Sequence, residues 1–112
     1  MLSGVDSLRN NPYPGRGIVI GKSTDESKWF QIYWIMGRSE NSRNRVFKEE
    51  NGVVKTQPFD LSKVKDPSLI IYNAMMEINS YHIVTNGDQT DTIYNYLSSG
   101  KSFEEALDTR LY

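Results

Sequence analysis

The chain has 112 residues, 38% of them hydrophobic and 24% charged, and its formal net charge at pH 7 is −1. This length and composition suit one globular domain with a modest core, so we expect a single domain over residues 1–112, complete or incomplete. The near-neutral charge argues against a nucleic-acid partner, which usually requires a strong positive excess. No apolar run approaches the roughly 20 residues of a membrane span, and the first residues do not resemble a signal peptide.

The residue inventory excludes several kinds of site. The absence of cysteine rules out disulfides, thiolate metal sites and cysteine nucleophiles, and it fits a cytoplasmic location. His82 is the only histidine, so paired-histidine metal motifs are excluded and a serine–histidine triad would depend on that one residue. We therefore expect neither a metal nor a cofactor.

Strand patterns fill most of the chain. They are rich in β-branched and aromatic residues and are separated by turn signals, among them Asn51-Gly52, which tolerates the positive φ of a tight hairpin turn. The first two strands should pair as a hairpin, and so should each following pair, with a proline- and lysine-containing loop over 58–67. The predicted strands cover residues 17–21, 29–36, 45–49, 53–57, 69–78 and 81–84.

After Asp88 the hydrophobic period changes to that of a helix, which should end near Gly100. Ser102 and Glu105 form a capping box for a second helix, predicted to continue to Tyr112. Strands first and helices afterwards predict an α+β fold with the helices gathered on one face of the sheet.

The connector over 37–45 holds three arginines, Arg38, Arg43 and Arg45, together with four small polar side chains. Arginine presents a planar fork of donors that matches phosphate or carboxylate oxygens, and loops on rigid scaffolds often carry binding residues. The loop is therefore a candidate anion site. The alternative is that its arginines are solvated on the surface of a hairpin connection.

Three further polar groups have both a functional and a plainer structural interpretation. Tyr72-Asn73 lies in an apolar run, so one of the two faces a core or a cleft; the alternative is a core tyrosine whose hydroxyl finds a partner. Residues 85–92 span a strand-to-helix junction that can bind an anion, or simply form a turn capped by Asp88 or Thr90. Arg16 lies between two glycines, where a ligand could approach the backbone, although the spacing fits no phosphate-loop motif.

These segments occur in an order that resembles a known family, the archaeal-type IMP cyclohydrolases, and the opening over 11–17 looks like its bacterial branch. The likeness covers nearly the whole chain. The matching segments are Gly15-Arg16-Gly17-Ile18, Tyr33, Gly37-Arg38-Ser39, Asn44-Arg45, Asp66-Pro67, Tyr72-Asn73, Asn86-Gly87 and Thr90-Asp91-Thr92-Ile93.

The resemblance implies a four-layer αββα sandwich similar to N-terminal-nucleophile hydrolases, of which the chain would be an N-terminal portion. It also implies closure of 5-formamidoimidazole-4-carboxamide ribotide to inosine monophosphate (IMP) with loss of water. The carboxamide nitrogen attacks the formyl carbon of the same molecule, so no enzyme nucleophile is required. Catalysis would come from holding the reactive geometry, steering protons and stabilising charge on oxygen.

By resemblance, Arg45 and Tyr72 are the catalytic candidates nearest the reacting centre. Family members extend further than this chain and carry a site carboxylate after the last predicted helix; neither Glu104 nor Glu105 matches that position. The substrate-binding candidates, which hold the 5′-phosphate or shape the pocket, are Arg16, Arg38, Asn44, Asn73, Asn86, Gly87 and Asp91.

The expected partner is a purine ribonucleotide, without nucleic acid or membrane. Half a sandwich would expose an apolar sheet face, so we also expect a homo-oligomer or a complementing C-terminal segment. Two alternatives stay open. One is a non-catalytic protein of the same fold that binds or sequesters a purine nucleotide, and the other is a structural interaction domain.

Overall fold

A computed structural model describes residues 4–67 and 70–110 of the chain. The strands are β1 (Gly17–Lys22), β2 (Trp29–Trp34), β3 (Arg45–Glu50), β4 (Val53–Pro58), β5 (Asn73–Ile78) and β6 (Tyr81–Val84). The helices are α1 (Gly4–Arg9), α2 (Glu40–Arg43), α3 (Gln89–Ser98) and α4 (Phe103–Asp108), with a 3₁₀ turn at Leu61–Lys63. All strand pairing is antiparallel, in a β1–β2 hairpin and a four-stranded sheet of order β3–β4–β5–β6. The predicted α+β class is confirmed.

Each predicted strand is present; β1, β3 and β4 end one residue later than predicted, and two boundaries differ by more. β2 ends at Trp34 rather than at residue 36, and β5 begins at Asn73. Leu69, where β5 was expected to start, lies outside the described residues. Ile70 to Tyr72 are not strand: the β4–β5 ladder begins with the pair Lys55 and Asn73, and its register shifts between Val54 and Lys55.

The helices depart from the simple order of strands first and helices afterwards. α1 precedes the strands, and α2 forms one turn inside the arginine-rich connector. α2 forms because Ser39 and Ser42 cap each other reciprocally, a serine version of the capping box. The last helix, predicted to reach Tyr112, ends at Asp108, and residues 111–112 lie outside the described part. None of the helices described is long and apolar enough to cross a bilayer.

The core is small and has two parts. The hairpin packs on the sheet through Tyr33, which lies with Tyr72 and Ala74, while α3 and α4 cover the other part through Ile93 and Ala106. The opposite face of the hairpin is apolar and largely exposed in the described part of the chain. Its exposed apolar side chains are Val19, Phe30 and Ile32.

Candidate functional site

Two tyrosine hydroxyls meet where the hairpin packs on the sheet. Tyr33 lies near the end of β2 and Tyr72 directly precedes β5, and their oxygens share a hydrogen bond of 2.6 Å. Both residues are buried, with 9% and 8% of their surface exposed. The ring of Tyr33 also packs against Phe47 of β3, with centroids 5.7 Å apart. Tyr72 is therefore a buried tyrosine with a partnered hydroxyl, and that partner is a second phenol.

Two arginines act electrostatically on Tyr33. Burial raises the pKa of the Tyr33 phenol, the hydrogen bond to Tyr72 raises it further, and the positive charges of Arg16 and Arg45 act in the opposite direction. Arg45 lies two residues before Phe47 on β3, so their side chains leave the same face of the sheet. Arg16 and Arg45 thus lie close enough to Tyr33 for their charges to act on its phenol.

The guanidinium of Arg45 is only partly satisfied. Its Nε donates to the carbonyl oxygen of Ser42 at 2.7 Å. Its Nη1 and Nη2 atoms are buried and have no hydrogen-bond partner among the residues that the structure describes. A buried donor without an acceptor is costly, and more so when it is charged. An adjoining cavity of about 290 Å³, lined by Gly37, Arg43 and Arg45 among others, offers space for an anion.

The other two arginines of the connector lie on its surface. The guanidinium of Arg38 lies over the ring of Tyr13 at 4.4 Å, a cation–π contact. Arg43 donates from Nε to the carbonyl oxygen of Gly37 at 2.9 Å. The surface interpretation therefore describes Arg38 and Arg43, whereas Arg45 is turned inward.

The predicted turn at Asn86-Gly87 lies against Arg16. Nη1 of Arg16 donates to the carbonyl oxygen of Asn86 at 2.9 Å, joining residues 70 positions apart in the chain. The hydroxyl of Thr85 donates to the carbonyl oxygen of Gly87 at 2.8 Å and fixes this turn. The contact with Arg16 uses the Asn86 backbone and leaves its side-chain amide out of this interaction.

The start of α3 is tied to β5 by a polar pair. Nδ2 of Asn73 donates to Oδ1 of Asp91 at 2.8 Å. Asp88 occupies the N-cap position, one of the two predicted, but its side chain makes no capping bond and instead pairs with Arg110 at 2.6 Å. Thr90 is fully buried and donates to the carbonyl oxygen of Ala74 at 3.2 Å.

Asn44 is buried and engaged with the turn that follows β4. Its Nδ2 donates to the carbonyl oxygen of Asp60, and its Oδ1 accepts the backbone N–H of Asp60, both at 2.7 Å. This reciprocal pair anchors the end of the arginine-rich connector. Only the second N–H of the amide is left for any ligand.

A larger cavity, of about 730 Å³, lies elsewhere, between β6, α3 and α4. Its walls are mostly apolar and include Ile83, Ile93 and Leu107, and neither tyrosine of the pair lines it. We place the candidate site at the tyrosine pair because charged and polar groups converge there. Within residues 4–67 and 70–110, no group of three acidic or histidine side chains is arranged to hold a metal ion.

Tyr33 is the residue of this cluster that sequence reasoning did not select. Tyr33 belongs to one of the segments that resemble the family, but the residue pattern of its strand indicates only a core strand. Its hydroxyl finds Tyr72 only because the hairpin folds over the sheet, bringing together residues 39 positions apart. A tyrosine among apolar neighbours on a buried strand face was the available signal, since a buried hydroxyl requires a partner.

A family model and individual relatives of known name point to the same family. The model of the IMP cyclohydrolase-like protein family matches residues 13–112. The chain is 33% identical over 99 residues to an IMP cyclohydrolase of Methanococcus maripaludis strain C7, an alignment that covers 88% of this chain and 48% of that protein. It is 36% identical over 89 residues to that of Methanocaldococcus jannaschii, covering 80% and 43%.

A third relative, the IMP cyclohydrolase of Methanococcus aeolicus, is 33% identical over 95 residues, or 85% of this chain and 46% of that protein. The chain thus spans about half the length of the curated relatives it matches. The family match, by contrast, covers nearly the whole chain. On this evidence the chain belongs to the IMP cyclohydrolase-like family.

Proposed function

We propose that this chain provides the nucleotide site of an IMP cyclohydrolase, which closes 5-formamidoimidazole-4-carboxamide ribotide to IMP with loss of water. The observation that carries the proposal is Arg45, whose terminal nitrogens are buried without a hydrogen-bond partner among the described residues. A planar guanidinium with buried terminal nitrogens, whose charge acts on the Tyr33 phenol, suits a ligand that brings acceptor oxygens. The family relationship names a ligand of that kind.

Both atoms that form the new bond belong to the substrate, so ring closure requires no covalent contribution from the protein. The carboxamide nitrogen forms a bond to the formyl carbon, and the electron pair of the formyl C=O bond moves to its oxygen, which takes up a proton. That oxygen then leaves as water. Its two protons derive from the attacking nitrogen and from the nitrogen that carried the formyl group, so the protein holds the geometry, moves protons and stabilises the charge that builds on oxygen.

Each site residue would have a role set by its position. Arg45 would bind an anionic or developing oxyanionic oxygen, because its two Nη atoms have donors to offer. Tyr72 would contact the reacting oxygen, and Arg16 with the Asn86-Gly87 turn would form one wall. Asn73 of β5 and Asp91 of α3, which are hydrogen-bonded to each other, would help shape the pocket.

Arg38 and Asn44 would contribute less directly. The exposed guanidinium of Arg38 stacks on Tyr13 and would reach a phosphate at the rim of the site. Asn44 would act by holding the connector that carries Arg45. The ring closure would take place in a single domain of the αββα sandwich type, and the protein would act in the cytoplasm. The exposed apolar face of the hairpin supports a further layer, from the same polypeptide or from another copy.

Turnover by the purified chain tests the proposal. The chain is incubated with the formylated ribotide, and IMP is followed by absorbance. The wild type should form IMP above the uncatalysed rate, and Arg45→Met should lower kcat/KM by at least about tenfold, since hydrogen bonds to charged groups contribute about 1.5–3 kcal/mol. The matched control is Arg9→Met, which removes the same charge from the exposed surface of α1.

The outcome separates the alternatives. IMP binding without turnover, measured by calorimetry and lost in Arg45→Met, would favour the nucleotide-binding protein. If the chain shows neither turnover nor IMP binding, the proposal is contradicted and the interaction domain remains as the alternative.

A further inference from the structure

The bond between Tyr33 and Tyr72 leaves one hydroxyl proton to spare. Two hydroxyls that share one hydrogen bond use one proton between them, so the accepting phenol keeps its own O–H for another partner. The 2.6 Å separation is short for such a pair. The question is which of the two phenols faces the ligand.

Tyr33 is held within a regular strand pair. It lies within the paired part of β2, directly opposite Ile18, and its ring packs against Phe47. Ile35, Met75 and Val84 complete the apolar surroundings of the cluster. Such packing fixes the position of its hydroxyl. Burial also favours its protonated form, since the pKa of Tyr33 is raised.

Tyr72 lies outside the regular strand. It directly precedes β5, whose pairing with β4 begins only at Asn73. Its backbone is held by Thr56, whose hydroxyl accepts the N–H of Tyr72 at 3.0 Å and whose N–H donates to the carbonyl oxygen of Tyr72 at 2.9 Å. Thr56 therefore fixes where Tyr72 is, while Tyr33 is the group that contacts its hydroxyl.

We propose that Tyr33 is a positioning residue, which donates its hydroxyl proton to the oxygen of Tyr72 and thereby directs the O–H of Tyr72 toward the reacting oxygen of the nucleotide. This inference rests on the proposed function. Arg45 and Arg16, which act electrostatically on Tyr33, belong to the same arrangement. Tyr33 would not contact the nucleotide, so its influence should pass entirely through Tyr72.

A double-mutant cycle tests this dependence. Tyr33→Phe removes the hydroxyl and keeps the ring that packs on Phe47. We expect kcat to fall about three- to tenfold, the value of one net hydrogen bond, with KM nearly unchanged. In the Tyr72→Phe background the same change should have no further effect, because the group through which Tyr33 acts is already gone. Tyr81→Phe, a 60% exposed tyrosine on β6, is the control.

The results distinguish this inference from the proposed function. Suppose that the wild type turns over. The inference is then overturned, and the function left intact, if kcat of Tyr33→Phe equals that of wild type. The same holds if the effects of Tyr33→Phe and Tyr72→Phe on kcat multiply. A chain that binds IMP without turnover overturns the inference, because the oxygen toward which Tyr72 is directed leaves as water and is absent from IMP. A chain that neither binds nor converts the nucleotide overturns both. Circular dichroism of each variant checks that the fold is retained.

Discussion

The hydroxyl of Thr56 accepts the backbone N–H of Tyr72 at 3.0 Å and donates to the carbonyl oxygen of Ile70 at 2.6 Å. Thr56 is fully buried. A β4 side chain thus satisfies backbone groups of a segment that is not paired as strand, and it places Tyr72 beneath Tyr33.

Thr56→Val should therefore lower the free energy of unfolding by about 1–3 kcal/mol, because it leaves a buried N–H and a buried carbonyl without partners. Urea denaturation measures this loss. Thr24→Val is the control, since Thr24 is exposed and such changes usually stay within about 0.5 kcal/mol. Equal stability of the two variants would show that the Tyr72 segment is held by something other than this hydroxyl.

Asp91→Ala should remove a hydrogen bond that ties the start of α3 to β5, because Asn73 donates to this carboxylate. We expect a loss of about 1.5–3 kcal/mol in stability, the range for hydrogen bonds to charged groups. Asp91→Asn keeps an acceptor oxygen and should recover part of the loss. Thermal or urea unfolding reports both.

Asp91 also lies in the first turn of α3, where a negative charge favours the helix dipole. Glu104 occupies the first turn of α4, so Glu104→Ala removes the comparable dipole term. A loss in Glu104→Ala as large as that in Asp91→Ala would assign the effect to the dipole and not to Asn73.

Gly37→Ala should disturb the connector that carries Arg45. A Cβ at this position would lie 2.5 Å from the backbone carbonyl carbon of Ser42, so the loop would have to move. We expect a cost of about 1–3 kcal/mol, as for other overpacked sites, together with weaker IMP binding by calorimetry. Gly4→Ala, where a Cβ meets nothing within 4 Å, is the control. Unchanged IMP affinity in Gly37→Ala would mean that the connector does not set the position of Arg45.

The fold class could be predicted from the sequence because local patterns determine it. Asn51-Gly52 does form the turn between β3 and β4, with φ of 52° and 82°, and the capping box of Ser102 and Glu105 does open α4. The start of β5 could not be predicted, because apolar residues continue through Ile71 while pairing with β4 begins only at Asn73, opposite Lys55. Tertiary pairing decided that boundary.

The candidate site was predicted only in part. The arginine-rich connector was visible as a cluster, but nothing local distinguishes Arg45 from Arg38; the difference is that Arg45 opens β3 and turns inward. The contact of Arg16 with Asn86 and the pairing of Tyr33 with Tyr72 join distant segments. Such contacts follow from how the hairpin lies on the sheet, which periodicity does not specify.

Stability at alkaline pH should depend on Tyr33. Burial, followed by the bond to Tyr72, raises the pKa of this phenol above its ordinary value of 10.0. Below that pH the group is protonated in both folded and unfolded chains and contributes no pH dependence. Above it the unfolded chain loses the proton first, so the free energy of unfolding falls as pH rises, by up to about 1.4 kcal/mol per pH unit for one group.

Tyr33→Phe removes this contribution, so its free energy of unfolding should decline less steeply than that of wild type between about pH 10 and pH 12. Urea unfolding at stepped pH measures the slopes. Tyr81→Phe keeps Tyr33 and should follow the wild-type curve. Parallel curves for wild type and Tyr33→Phe would mean that the Tyr33 phenol ionises as readily in the folded chain as in the unfolded one, which is incompatible with a buried hydroxyl bonded to Tyr72.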